Sequence, residues 1–391
     1  MAATAPDHPH PSDGANLMPP PRSPRAEFWR LLRENRMAFS GLVVFALFFM
    51  LAVVGLAVTS GTKPILDPST VRLQEKLRPP LARANMASLR PEEVPPFRVY
   101  LLGTDDLGRD VFARMLQGAW VSLTVGFVAV GISVFIGIIL GGIAGYYGQH
   151  TIHLDHTLAF GLLTATAPLT LSGRPAGAVA AFIPAIALLV WRWRQSRQPA
   201  EKPQETGFAL LLRRPVFSVD TLVMRAVDIM LCFPTFFLIL TVVALLPASL
   251  YNIMIVIGLT SWMGTTRFVR AEFLSLREQD FVAAAKALGL SDARIIFRHM
   301  MPNAIAPVLV SATLGIASAI LTEAGLSFLG FGVPPPHATW GNILSDGKAF
   351  IFDAPWLTFA PGIVILIVVL AFNLFGEGLR DIFNPKLRER N

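Results

Sequence analysis

Apolar residues are concentrated in long runs that polar and charged segments separate. An α-helix needs roughly 20 apolar residues to cross the hydrocarbon core of a bilayer, and in lipid only helices and closed barrels satisfy their backbone hydrogen bonds. Six runs approach or exceed that length: Met37–Val58, Val121–Tyr146, Val227–Leu246, Ile253–Val269, Pro307–Phe331 and Leu357–Phe375. The pattern therefore predicts an all-α integral membrane protein with six core transmembrane helices.

The region 150–217 has a weaker pattern and interrupts the regular alternation of apolar runs and loops. Its two apolar runs, Leu158–Leu171 and Ala176–Trp191, are marginal for spanning, and a basic stretch follows them. A two-helix membrane hairpin, which raises the number of spans to eight, preserves the alternation of the other loops. The alternative is a pair of interfacial helices on the cytoplasmic surface. We expect the hairpin, within an insertion that covers 150–217.

Lysine and arginine positions predict the orientation, because these residues accumulate in cytoplasmic loops. Residues 1–36 contain several arginines and are rich in proline, alanine and serine, so we expect a disordered cytoplasmic tail before an uncleaved first span at 37–58. The loop 270–302 and the residues after the last span are also basic. Both termini and this loop are therefore predicted to be cytoplasmic, and 59–118 extracytoplasmic.

Composition supports the membrane assignment. The chain has 391 residues, of which 53% are hydrophobic and only 15% charged, whereas soluble domains carry about a quarter charged residues. The net charge of +7 arises from basic residues that lie beside apolar runs and form no continuous stripe, which argues against nucleic-acid binding. Cys232 is the only cysteine, so an intramolecular disulfide is excluded.

The loop between the fourth and fifth runs has a helical pattern of its own. Phe281, Ala284, Ala285 and Leu288 recur at the spacing of one helix face. Gly289 is expected to end that helix by adopting a positive φ. Ser291 is then expected to cap a second helix, Asp292–Met300, before Pro302 starts a new segment. Two short helices form a compact surface on which a partner can dock; the alternative is an ordinary amphipathic loop on the membrane.

This loop resembles the "EAA" loop of the inner-membrane subunits of bacterial ABC importers. Ala284 and Ala285, Gly289 and Pro302 match that pattern, whereas Ala283 replaces its glutamate and His299 its isoleucine. Further segments are similar to dipeptide- and oligopeptide-type permeases: Leu101–Gly126, Val219–Leu238, Leu321–Lys348 and Ala354–Arg388. The resemblance implies the fold of a type I ABC importer permease, with its core at 119–149 and 218–391.

The resemblance also implies a function and a set of partners. The chain would form a translocation path for peptides or similar small solutes with a second, homologous permease, and would receive substrate from an extracytoplasmic binding protein. Two ATPase subunits would carry ATP and magnesium, and this chain would bind no cofactor. The docking loop would use Phe281, Ala284, Ala285, Leu288, Gly289, Ser291, Arg294 and Pro302. The competing hypothesis is an autonomous secondary transporter or a membrane enzyme. The sequence leaves the substrate open between peptides, nickel, glutathione and other solutes.

Other polar residues have weaker chemical signals. Asp105, Asp106 and Asp110 lack a nucleophile beside them, so we expect a structural role, with Asp105 or Asp106 capping a helix that begins near Leu107. Glu323 is the only carboxylate within the fifth run, and its role is either gating of the path or structural. His150, His153 and His156 form a cluster for which solvation is favoured over a metal site. No phosphate-binding loop is present, so ATP is expected to be hydrolysed on separate ATPase subunits, and this chain is not expected to be an enzyme.

Overall fold

A computed structural model describes residues 24–62, 64–91, 93–153, 166, 182–184, 186–187 and 215–383. Helices dominate this part of the chain, with two short antiparallel ribbons. The helices are α1 (Pro24–Glu34), α2 (Arg36–Thr59), α3 (Val111–Tyr146), α4 (Val219–Cys232), α5 (Thr235–Leu245), α6 (Leu250–Leu259), α7 (Trp262–Arg277), α8 (Asp280–Ala287), α9 (Asp292–Arg294), α10 (Met301–Phe328), α11 (Trp340–Gly347) and α12 (Trp356–Phe383). The ribbons pair β1 (Ala82–Arg83) with β2 (Val99–Tyr100) and β3 (Thr151–His153) with β4 (Pro215–Ser218).

Four helices of the described chain are long and apolar enough to cross a membrane. They are α2, α3, the continuous helix Asp292–Phe328 and α12. They confirm four of the six predicted spans, and α3 extends beyond the predicted apolar run Val121–Tyr146 because it begins at Val111. The pair α4 and α5 adds a fifth span if the bent pair counts as one. The two runs predicted for the hairpin, Leu158–Leu171 and Ala176–Trp191, lie almost wholly outside the described residues, and the eight-span count stays a prediction.

The third and fourth predicted spans, Val227–Leu246 and Ile253–Val269, are each divided between two helices. The axes of α4 and α5 differ by 80° across Phe233 and Pro234, because proline has no N–H to donate and its ring clashes with the carbonyl one turn earlier. The run Ile253–Val269 is divided between α6 and α7 at Thr260 and Ser261. At this break the hydroxyls of Ser261 and Thr260 both donate to the Ile257 carbonyl, at 2.7 Å and 3.2 Å, and so bind a carbonyl group at the end of α6.

The core of the bundle is formed by α3, which packs closely on α7. Gly137, Gly141 and Gly145 lie one turn apart on the face of α3 that meets α7. A Cβ atom at Gly145 would lie 2.4 Å from the Cβ of Phe273, and one at Gly141 would lie 2.6 Å from the carbonyl oxygen of Thr266. Small residues at this spacing let two helix backbones approach closely in a membrane, so the glycines fix the position of α7 and of the loop that follows it.

The two ends of the bundle carry different segments. At one end, the ring of Phe28 in α1 stacks on Phe383 at the end of α12, with ring centroids 6.0 Å apart. Residues 24–34 are therefore helical, and the prediction that the whole of 1–36 is disordered is wrong for them; the aromatic stack and the burial of Leu32 hold α1 in place. At the other end, Trp356 donates its indole N–H to the carbonyl of Thr104. The ribbon of β3 and β4 pairs His153 with Pro215 close in sequence to the end of α3.

Candidate functional site

The loop between α7 and α10 contains the short helix α8, a turn and the three-residue helix α9. We call these residues, 280–294, the docking knob. Gly289 has φ +71° and ends α8, as the sequence predicts. The N–H of Gly289 donates to the carbonyl of Lys286 at 2.9 Å, and the N–H of Leu290 donates to the carbonyl of Ala285 at 3.2 Å. These two bonds form a Schellman motif, which fixes the direction in which the chain leaves α8.

One face of α8 is apolar and exposed in the isolated chain. Phe281 and Leu288 are 40% and 80% exposed, and Ala284 lies between them on the same face. The prediction that Ala285 belongs to this face is wrong. Ala285 and Val282 are 4% and 0% exposed. They lie on the opposite, inner side of α8, where they pack into an apolar cluster that includes Tyr146 and Phe273.

The second half of the loop departs from the predicted short helix. Ser291 occupies the N-cap position with extended backbone, but its side chain accepts no capping bond. Arg294 is exposed. The prediction that this helix stops before Pro302 is wrong, because the helix continues from Asp292 to Phe328. A widened π-helical turn at Ile295–Met300 ends two residues before the proline, and such local adjustments accommodate proline within a membrane helix.

The knob is attached to the end of α3 by polar contacts that no local sequence pattern indicates. The hydroxyl of Tyr146 donates to one carboxylate oxygen of Asp292 at 2.7 Å, and that of Tyr147 donates to the other at 3.2 Å. The Nζ of Lys286 lies 5.3 Å from the centre of the Tyr146 ring. Burial and the adjacent Asp292 carboxylate raise the pKa of the Tyr147 hydroxyl, so it stays protonated and can donate.

A cavity of about 130 Å³ lies between α3, the α6–α7 break and α10. Its lining residues are apolar, glycine or hydroxyl-bearing, and the hydroxyls of Thr265 and Ser311 lie 3.1 Å apart within it. Three of these positions, Ser311, Ser318 and Thr322, share one face of α10, and this spacing is the signal by which the sequence could have shown the surface. The hydroxyl-bearing residues are Ser133, Ser261, Thr265, Ser311, Ser318 and Thr322.

Glu323 lies beside this cavity but not in its lining. Its side chain is fully buried and accepts hydrogen bonds from the hydroxyls of Ser327 at 2.7 Å and Ser122 at 3.4 Å. The Ser122 hydroxyl in turn accepts from the backbone N–H of Trp340 at 3.3 Å. Glu323 therefore connects α10 to α3 and α11, which satisfies a carboxyl group that is expensive to bury without partners.

The three aspartates near the start of α3 have separate roles. Asp110, and not Asp105 or Asp106 as predicted, caps the helix: its carboxylate accepts from the N–H groups of Phe112 at 2.9 Å and Ala113 at 3.4 Å. The helix begins at Val111 and not near Leu107, because the preceding residues form a turn closed by Asp105. Burial raises the pKa of the Asp106 carboxyl, and the neighbouring Asp105 raises it further.

Asp105 is buried in a network of ion pairs. Its carboxylate accepts from Arg109 at 2.7 Å and from Arg114 at 2.5 Å. Both arginines also contact Asp346 of α11, at 3.2 Å and 2.9 Å respectively. The network joins the turn before α3 to α11, so its role is to hold the outer end of the bundle together.

The histidine cluster is only partly described. The ring of His150 packs edge-on against Tyr147, with centroids 5.4 Å apart. His153 belongs to β3, and His156 lies outside the described residues. Across 24–153 and 215–383, apart from the gaps stated above, no group of three or more histidine, cysteine or acidic side chains could hold a metal ion.

Comparison with known families gives two matches. Residues 206–389 match the model of the binding-protein-dependent transport system inner membrane component. Residues 23–80 match the model of the N-terminal transmembrane domain of oligopeptide transport permease C.

Individual relatives are similar along nearly the whole chain. A dipeptide transport system permease protein of Alkalihalophilus pseudofirmus is 34% identical over 98% of this chain and 95% of its own length. A dipeptide transport system permease protein of Haemophilus influenzae is 32% identical over 94% of this chain and 97% of its own. An oligopeptide transport system permease protein of Bacillus subtilis is 29% identical over 91% of this chain and 88% of its own.

Proposed function

Because the chain belongs to the family of binding-protein-dependent transport system inner membrane components, it is a membrane-embedded transport permease and not an enzyme, and we propose that it conducts peptides. Relatives named as dipeptide and oligopeptide permeases support this substrate class. The observation that supports coupling to ATPase subunits is the exposed apolar face of α8, formed by Phe281, Ala284 and Leu288. Membership in this family supports the importer over an autonomous transporter or a membrane enzyme.

The proposed membrane arrangement has six core helices of the type I importer kind. Four are the long helices of the structure. The bent pair α4–α5 supplies the third, and the divided run of α6 and α7 supplies the fourth. Broken helices are tolerated at membrane depth where they are buried in protein or line a water-filled cavity, and the break between α6 and α7 lies at the cavity. The insertion 150–217 adds a two-helix hairpin, for eight spans.

The proposed orientation places the docking knob in the cytoplasm. The knob, α1 and the end of α12 share one end of the bundle, where arginines and lysines are frequent, and basic residues favour the cytoplasmic side. Both termini then lie in the cytoplasm of a bacterium, and the segment 60–110 lies outside its inner membrane.

The proposed assembly contains four further kinds of contact. A second, homologous permease completes the path, two ATPase subunits dock from the cytoplasm, a substrate-binding protein delivers from outside, and lipid surrounds the spans. Phe281, Ala284, Leu288, Gly289, Ser291 and Arg294 supply or shape the ATPase contact, and Pro302 lies at the base of the knob. This chain binds no cofactor; ATP and magnesium belong to the ATPase subunits.

The cavity between α3, α7 and α10 is the proposed wall of the translocation path. Hydroxyl groups can donate and accept, so they suit the alternating N–H and C=O groups of a peptide backbone. Because the lining contains no charged side chain, it discriminates little between acidic and basic peptides, and the selection falls to the binding protein. Closure of the ATPase dimer switches the spans between two states that open the cavity to opposite sides.

Affinity purification followed by reconstitution tests this function. Purified in mild detergent from its host, the chain is expected to bring with it a P-loop ATPase and a second permease. In proteoliposomes that contain this complex, radiolabelled dialanine should enter only with ATP and the binding protein. A chain that purifies alone and transports dialanine without ATP would contradict the proposal.

A further inference from the structure

The helix α3 connects the docking knob with the cavity. At one end, Tyr146 and Tyr147 hold Asp292 of the knob. Further along the same helix, Ala129, Val130 and Ser133 line the cavity. A helix is a rigid element, so a displacement imposed at Tyr146 is transmitted along α3 to the cavity wall.

The knob contacts the body of the protein in two different ways. Val282 and Ala285 pack on apolar neighbours, and such contacts have no preferred direction. Asp292, by contrast, accepts two hydrogen bonds from fixed donors, and bonds to a charged acceptor are directional and about twice as strong as neutral ones. The polar contact therefore prevents the knob from sliding over the apolar cluster when a partner pushes on it.

Both halves of the knob converge on the same aromatic ring. Lys286 precedes the turn at Gly289 and lies over the face of Tyr146, whereas Asp292 follows that turn and binds the Tyr146 hydroxyl. Tyr146 is itself only 6% exposed and sits in the cluster beneath α8. A movement of either half therefore acts on the end of α3.

We propose that Tyr146, Tyr147 and Asp292 form a joint that transmits the movement of the docking knob to α3 and so to the cavity. The three are positioning residues: they touch neither substrate nor nucleotide. The proposal rests on the proposed function, since it needs an ATPase at α8. It adds a residue-level route by which the state of that ATPase changes the path.

Thiol labelling inside the cavity measures this transmission without knowledge of the substrate. Cys232 is the only cysteine, so Cys232→Ser with Ser318→Cys gives a single probe at an exposed position in the lining. The complete complex with its ATPase subunits is labelled with a maleimide, with and without magnesium and a non-hydrolysable ATP analogue. We expect the nucleotide to change the labelling rate by about fivefold or more, the lower end of ordinary allosteric coupling.

Removing the two hydroxyls should abolish that change. In Tyr146→Phe/Tyr147→Phe the rings and their packing remain, and the labelling rate should become nearly independent of nucleotide while the ATPase subunits stay bound. Asp292→Asn should reduce the nucleotide response by less than the double variant does. Asp292→Glu keeps the carboxylate and should retain more of the response than Asp292→Asn. Tyr251→Phe, at an exposed tyrosine of α6, is the matched control and should behave as the parent.

The outcomes separate the joint from the proposed function. A full nucleotide response in the double variant would overturn the joint and leave the function intact. Loss of the ATPase subunits from the double variant would also overturn it, because the hydroxyls would then serve docking and not transmission. A parent complex that lacks ATPase subunits or shows no nucleotide response would remove the proposed function, and the joint with it.

Discussion

Arg114 and Asp346 are far apart in the sequence, yet their side chains meet at 2.9 Å and connect α3 to α11. The guanidinium of Arg114 is 4% exposed and also binds the fully buried Asp105. Two carboxylates and two arginines thus compensate one another at the end of the bundle opposite the docking knob. A long helix held at both ends can move as one body, so this network anchors the outer end of α3.

Removal of one charge from this network should destabilise the fold. Arg114→Met leaves Asp105 buried with one partner fewer, and breaking a buried ion pair in this way costs about 3–5 kcal/mol. The thermal unfolding midpoint in detergent should fall clearly. Arg90→Met is the control, because Arg90 is 85% exposed and lies 4.0 Å from Glu93, and exposed pairs contribute about 0–1 kcal/mol. Equal midpoints for the two variants would contradict the structural role of Arg114.

The contact between α3 and α7 should tolerate no added side chain at Gly145. A Cβ there would lie 2.4 Å from that of Phe273 and 2.9 Å from the carbonyl oxygen of Arg270, and overpacking of this kind costs about 1–3 kcal/mol. Gly145→Ala should therefore lower the unfolding midpoint and the ATPase content of the purified complex, because α7 leads into the knob. Gly131→Ala on the same helix has open space around its new Cβ and should leave both unchanged.

Hydropathy predicted the long helices because burial in lipid depends on the local composition of a run. It did not predict the break at Pro234, because apolar residues continue on both sides of the proline. It did not predict the break at Thr260–Ser261, because two hydroxyl residues do not by themselves end a membrane helix. A proline within an apolar run is compatible with a kink or with a new helix, and only the packing of α4 and α5 decides between them. The capping role of Asp110 was missed for a related reason. Asp105 does not cap the helix because it pairs with Arg109 and Arg114, and Arg109 also contacts Asp346 of the distant α11.

The docking knob was predicted in outline and corrected in detail. Gly289 and the length of α8 follow from local signals, whereas the inward position of Ala285 depends on which side of α8 meets the Tyr146 cluster. Periodicity identifies a face but does not determine what covers it. The bonds from Tyr146 and Tyr147 to Asp292 join residues on either side of the insertion, and no local pattern indicates them.

Gly289 should accept asparagine but not valine. Its φ of +71° lies in the left-handed region, which costs an ordinary L-residue about 1–2 kcal/mol and which asparagine visits far more readily. No atom lies within 4 Å of a Cβ built there, so the effect is conformational and not a clash. Gly289→Val should release the ATPase subunits during purification, whereas Gly289→Asn should retain them. Gly362→Val in α12, also without neighbours, is the control; release by this variant too would show that the loss is not specific to the knob.

A bulky side chain in the cavity should block transport but leave ATP hydrolysis by the ATPase subunits unchanged. Ser318 lines the cavity, and Ser318→Trp would fill a space of about 130 Å³. In proteoliposomes, dialanine uptake should be lost while the complex keeps its basal ATP hydrolysis. Leu321→Trp, at a 50% exposed position outside the lining, should transport normally. Uptake by the Ser318 variant equal to that of the Leu321 variant would show that the path lies elsewhere.

The burial of Glu323 favours one of its two predicted roles. Its oxygens are occupied by Ser122 and Ser327, and it is not part of the cavity lining, so the structural role is favoured over gating. Glu323→Gln keeps the shape and can exchange hydrogen bonds with both hydroxyls, so it should fold and take up dialanine close to the parent rate. Glu323→Ala leaves polar partners unsatisfied at about 1–3 kcal/mol and adds a void, so it should lower the unfolding midpoint. If the glutamine variant unfolds at the parent's midpoint but loses uptake, the carboxyl group itself gates the path, and the structural interpretation fails.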